Sequence, residues 1–189
     1  EKQEKLTPSL MQSIVMAGSL AELEDIYLPY KPKRKTRASA AREKGLEPLA
    51  EKLMSQEAFN LEQAAEAFVD AEKNVSSVDD ALAGARDIIA EWISENQETR
   101  KKIRDLFWNE GIIESRVLKG KEAEGQKYKD YFEWTEPIAK TPSHRLLAMR
   151  RGEKEGVLSL DIYPPEELVI SAIERQYVKN QNPSATHVQ

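Results

Sequence analysis

The 189-residue sequence contains no cysteine and only two histidines. Without thiols there is no disulfide and no thiolate chemistry, and two histidines give no basis for a zinc site. No apolar run approaches the ~18 residues that suggest a membrane span, and no signal-peptide pattern opens the chain. The expectation is a cytoplasmic protein that does not engage a membrane. Positive charge is also short: the formal charge is -5 and the isoelectric point about 5.3. Such a surface does not coat nucleic acid as a whole, so any binding of that kind is local. Fixed-period repeats, heptad runs and low-complexity tracts are missing too, which weakens solenoid and coiled-coil readings.

What is present suits a mostly helical globule: 40% hydrophobic and 32% charged residues, with 8 Gly and 9 Pro. At this length ~70% of the unfolded chain's surface can be buried on folding. The opening EKQEKLTPSL has no initiator Met, and the expectation is a piece of something longer.

Helix signals follow one another to about residue 110. Thr7-Pro8 caps a first helix with an apolar stripe of Leu10, Met11, Ile14 and Val15. Ser19 and Glu22 read as a capping box for a second, on which Leu20, Leu23 and Tyr27 share a face. Thr36 caps a third that Gly45 stops, Pro48 starts a fourth, and Asn60 with Gln63 caps a fifth. Ser77 opens the longest periodic segment, with Leu82, Ala85, Ile89, Trp92 and Ile93 inward, and a following helix carries Ile103, Leu106 and Phe107 up to Gly111.

The period then changes. Ile113, Ser115 and Val117 alternate with Ile112, Glu114 and Arg116, which predicts a strand, and Val157 to Tyr163 predicts another. Between them, Tyr128 to Trp134 reads either as an extended or short helical piece beside the first strand or as part of a continuous helix from Lys121. Pro142-Ser143 caps a helix through Arg151 that Gly152 stops, Pro164-Pro165 begins another, and QNPSATHVQ reads as a frayed tail. The predicted fold is mainly α, multi-helical, with a small β element in residues 112–162. Its expected organisation is a helical region over 1–110, a mixed region over 111–180 and a tail over 181–189.

The densest cationic stretch is KPKRKTR, which places Lys31, Lys33, Arg34, Lys35 and Arg37 on a proline-stiffened strap at 30–37, with Arg42 and Lys44 further on. In an acidic chain that asymmetry is the best local argument for phosphate contact. The bland reading has these side chains in solvent while Tyr27, Leu28 and Tyr30 anchor the crossing. A second cluster, His144, Arg145, Arg150 and Arg151, is a candidate anion contact on a short capped helix. The acidic groups Glu22-Glu24-Asp25 and Asp79-Asp80 read as helix starts, so no metal, cofactor or catalytic residue is expected. GKEAEG lacks phosphate-loop spacing. Trp92, Phe107, Trp108, Phe132 and Trp134 read as core.

Three ordered stretches, LEDIYLPYKPKRKTRASAAREKGLEPLA (residues 23–50), KGKEAEGQKYKDYFEW (119–134) and SHRLLAMRRGEKEGVLSL (143–160), together resemble the bacterial Tex proteins, the transcription accessory proteins. The resemblance implies the N-terminal helical region of a cytoplasmic, nucleic-acid-binding parent, related to a eukaryotic transcription-elongation factor. That parent would continue into RNase H-like, helix-hairpin-helix and S1 domains, the expected partners of this piece, and would bind RNA or DNA chiefly through them. The family pattern implies no catalytic residue here, so the piece is expected to be a scaffold rather than an enzyme. Its strap would be an auxiliary phosphate contact. The alternative is a module that docks on polymerase, ribosome or parent domains without touching nucleic acid.

Overall fold

In the computed structural model, which describes residues 6–31 and 35–188, short polar side chains set most helix starts. Thr7 caps α1 (Pro8–Met16), Ser19 caps α2 (Leu20–Tyr27), and Thr36 caps α3 (Arg37–Glu43). Asn60 caps α5 (Leu61–Glu66) and Ser77 caps α6 (Val78–Glu95). Each accepts a hydrogen bond from a backbone N–H that the first helical turn leaves without a partner. The reciprocal capping box belongs to Thr36 and Ser39. At Ser19, by contrast, the Glu22 carboxylate reaches the N–H of Gly18, 2.8 Å away. α4 (Glu47–Ser55) has Pro48 in its first turn and follows a left-handed Gly45 at φ +80, as the sequence predicts.

The chain forms two compact units. One comprises the described residues up to Lys101 together with those from Ile173 onward. Its core lies among α3, α4, α5 and α6, where Leu46, Leu49, Leu53, Ala81, Ala85, Ile88 and Ile89 are buried. Small residues let α3 and α6 approach closely. Ala38 and Ala41 are buried on α3, and a Cβ at Gly84 would stand 2.4 Å from Leu46 Cδ1.

The stripes predicted for α1 and α2 are not core. Met11, Val15, Met16, Leu20 and Tyr27 are at least half exposed, and α1 buries no residue. α2 instead buries Ile26 and Asp25, whose carboxylate accepts a 2.5 Å bond from Nε of Arg100 in α7 (Gln97–Glu110). Buried Ile26 and this ion pair, rather than the predicted stripe, therefore hold the helix.

Nor are residues 181–188, the described part of the expected tail, frayed. After α9 (Glu166–Tyr177), Asn182 caps α10 (Pro183–Thr186), and Ser184, Ala185 and Val188 are buried. The physical reason is Gln56, fully buried at the left-handed end of α4 with φ 54. Its amide donates to Tyr177 O at 2.6 Å, and its Oε1 accepts from the N–H groups of Lys179 and Asn180. Its backbone carbonyl accepts from the side-chain amides of Asn180 and Asn182.

The other unit, Lys102–Ala172, holds the sheet. β1 (Ile112–Val117) is central between β2 (Glu133–Pro137) and β3 (Leu158–Tyr163), and both pairings are antiparallel. Ile113 lies opposite Glu136 on one side and Ile162 on the other. The predicted period of two is visible in the burial of Ile113 and Ser115 between more exposed neighbours. Of the two readings of Tyr128 to Trp134, the short one is observed: a 3-10 helix over Gln126–Tyr131 that runs into β2.

One stop signal is misplaced in the sequence reading. α8 (Ser143–Lys154) continues through Gly152, and it is Gly156, at φ +69, that supplies the left-handed turn after it. Gly152 serves packing instead: a Cβ there would lie 2.6 Å from Leu158 Cδ1 and 3.3 Å from Tyr128 Cδ1. The fold as a whole is mainly helical with a small three-stranded antiparallel sheet. No helix among the described residues is long and apolar enough to cross a membrane.

Candidate nucleic-acid interface

The basic strap is pinned at both of its described ends. Upstream, Leu28–Tyr30 forms a 3-10 turn, and the N–H of Lys31 bonds to the carbonyls of Tyr27 and Leu28. Leu28 and Tyr30 are half-buried, while Tyr27 is half exposed. Downstream, Thr36 caps α3 and its hydroxyl donates to Glu91 on α6 at 3.1 Å. Lys31 and Lys35 are exposed. The Arg37 side chain is 89% exposed and lies 3.5 Å from Asp87, a geometry that contributes little to stability. Lys33 and Arg34 lie outside the described residues.

The two cations further along α3 are spent internally. Arg42 Nη1 meets Glu91 Oε1 at 2.5 Å, and its Nε meets Glu47 at 3.1 Å. Burial pulls its pKa down, but these two carboxylates outweigh that and leave it raised. Lys44 Nζ donates to the carbonyl of Asn74 at 2.9 Å. A small groove of about 270 Å³ beside α3 is lined by Arg37 and Lys44 but equally by Asp80 and Asp87. Its charge is balanced.

In the second predicted cluster, two of the four side chains have carboxylate partners. Arg145 Nη1 lies 2.5 Å from Glu136 on β2, and its guanidinium sits 4.7 Å from the centre of the Trp134 ring. Burial pushes the Glu136 carboxyl up, but the hydrogen bond from Arg145 helps to hold it below its ordinary value. Arg150 pairs with Glu153 at 2.5 Å, whereas His144 and Arg151 are exposed. Arg145 thus joins α8 to the sheet.

An apolar site that the sequence reading missed lies within the sheet-bearing unit. Arg104, Phe107 and Trp108 of α7, Ile138 and Ala139 after β2, and Ile162 of β3 line a cavity of about 660 Å³. Trp108 is 83% exposed and Phe107 40%, so neither is the core residue expected, whereas Trp92, Phe132 and Trp134 are partly buried. A signal existed. Leu106, Phe107 and Trp108 are consecutive on a helix and sweep about 200° of its surface, so they cannot all face one core.

Residues 56–187 match the family model described as Tex central region-like. The chain is 48% identical over 161 residues to protein YhgF of Escherichia coli, covering 85% of this chain and 21% of that protein. It is 43% identical over 172 residues to the transcriptional accessory protein Tex of Neisseria gonorrhoeae, covering 90% and 22%. A more distant relative, 28% identical over 170 residues, is the S1 RNA-binding domain-containing protein 1 of Pongo abelii, with 86% of this chain and 17% of that protein covered. The chain therefore spans about a fifth of the length of the relatives it matches. Where the sequence resemblance pointed to an N-terminal helical region, the matched model carries the description of a central one. The chain belongs to the Tex family.

Proposed function

We propose that this chain is a scaffold within a longer Tex-like transcription accessory protein, and that its strap adds a phosphate contact through Lys31, Lys33, Arg34, Lys35 and Arg37. The observation that carries this reading is the contrast along one segment. Arg42 and Lys44 are consumed by Glu91, Glu47 and Asn74, whereas Lys31, Lys35 and Arg37 stand exposed between two pinned anchors. Cations held on an anchored element lose less conformational entropy on meeting a phosphate than the same residues on a free tail. The acidic remainder of the chain keeps the contact local and auxiliary. In this reading the parent's RNase H-like, helix-hairpin-helix and S1 domains bind RNA or DNA, and this piece positions them.

The test is fluorescence anisotropy of labelled single-stranded RNA and DNA against the purified chain at low salt. Changing Lys33, Arg34 and Lys35 together to Glu is expected to abolish measurable binding, since it replaces three attractive contacts by three repulsive ones. Unchanged binding would remove the strap from the account.

The exposed groove at Trp108 favours a second reading, in which the chain is a protein-docking module with no nucleic-acid contact. Large exposed aromatic side chains in an apolar cavity are typical anchors for a partner segment. In that case a Trp108→Asp variant would lose a pull-down partner that the strap variant retains.

A further inference from the structure

His187 ends α10, and its Nδ1 lies 3.2 Å from Nη1 of Arg86 on α6. A guanidinium can only donate. The contact is therefore a hydrogen bond only when the imidazole is neutral, with its lone pair on Nδ1 and its proton on Nε2. Around it the segment is well seated: Ser184 Oγ donates to Glu57 O at 3.1 Å, and Val188 joins the buried cluster that contains Leu82 and Ala85. On the chain's approach to α10, Gln56 holds Tyr177, Lys179 and Asn180 through a carboxamide that does not titrate.

We propose that the His187–Arg86 contact is a pH-sensitive latch: protonating the imidazole turns a hydrogen bond into two abutting cations and releases α10 from α6, while the Gln56 clasp holds the preceding stretch in place. Among the described residues, no carboxylate contacts the His187 ring. Among the described charged groups on the elements packed against α10, Glu51 and Lys52 on α4 and Glu57 after it are exposed. Lys52 extends over the Phe59 ring, and on α6 Asp79 and Asp80 are exposed in its first turn while Asp87 faces Arg37. Arg86 is the charged group against the imidazole among the described residues, and it acts in the same direction as burial.

Burial first, and then Arg86, hold the His187 pKa below its ordinary value. The released segment consequently binds the proton more tightly than the docked one. Docking is at full strength above the ordinary imidazole value of about 6.5 and weakens as pH falls through it towards the depressed value. For one such group, the docking equilibrium between about pH 7.5 and about pH 5.5 can change by up to about tenfold.

The test is hydrogen exchange of the α10 amides at those two pH values, corrected for the intrinsic rate. The expected result is that protection at Ala185, Thr186, His187 and Val188 falls by several-fold up to that limit while Lys179 and Asn180 keep theirs. His187→Asn, whose Oδ1 can still accept from Arg86, should keep α10 protected at both values. Equal acid loss in this variant, or parallel loss at Lys179 and Asn180, would overturn the proposal. Should the variant fold poorly, the imidazole titration of the unmodified chain by NMR decides: a His187 midpoint below the ordinary value supports the latch, and one at or above it overturns the proposal.

Discussion

Replacing Gln56 with alanine is expected to lower the stability of its unit by about 3 kcal/mol, and the melting temperature by about 6 to 12 °C. The change removes three carboxamide hydrogen bonds, to Tyr177 O, Lys179 N and Asn180 N, and leaves those backbone groups without partners in a partly buried site. Each orphaned group of this kind costs about 1 kcal/mol or more. Gln56→Gly separates the side chain from the backbone. Glycine relieves the left-handed φ of 54 but makes none of the three bonds. It should therefore also be destabilised, with loss of protection at Lys179 and Asn180. A glycine variant as stable as the parent would show that the carboxamide bonds contribute nothing.

Ile113→Ala should cost about 2 to 5 kcal/mol in the sheet-bearing unit, read by chemical denaturation. Ile113 is fully buried on the central strand, between Glu136 and Ile162. Its neighbour Ile112 projects to the other face and is only partly buried. The same substitution at Ile112 should cost markedly less, and equal costs would contradict the alternation of the two faces.

These two residues also illustrate what was readable from sequence. Ile113 was legible because strand burial has a period of two within six residues. The caps at Thr7, Ser19, Thr36, Asn60 and Ser77 were legible for a similar reason, since each involves a hydrogen bond spanning three residues. Gln56 was not. Its partners lie more than 120 residues along the chain, and nothing local marks a glutamine as the clasp that orders a terminal segment. Gly152 sent the wrong signal because a glycine required for close approach to Leu158 looks the same in sequence as one that ends a helix.

The candidate site divides in the same way. The cations of residues 31–44 are plain in the sequence, but which of them are neutralised depends on Glu91, 49 residues beyond Arg42, and on Asn74, 30 residues beyond Lys44. The partners of Arg145 were hidden for a comparable reason, because strand pairing brings Glu136 and Trp134 to α8. The Trp108 groove escaped notice because an aromatic residue on a periodic helix is ordinarily core. Only the assembled elements show that α7, the turn after β2 and β3 leave it open.

The most direct test of the strap's role is the slope of log K against log salt for single-stranded RNA binding to the unmodified chain. About four phosphate contacts, at roughly 0.7 each, give a slope near -3. A slope near that value, flattened in the strap variant, is the predicted result. Binding that does not change with salt, or no binding at low salt, would contradict a phosphate contact by Lys31, Lys33, Arg34, Lys35 and Arg37.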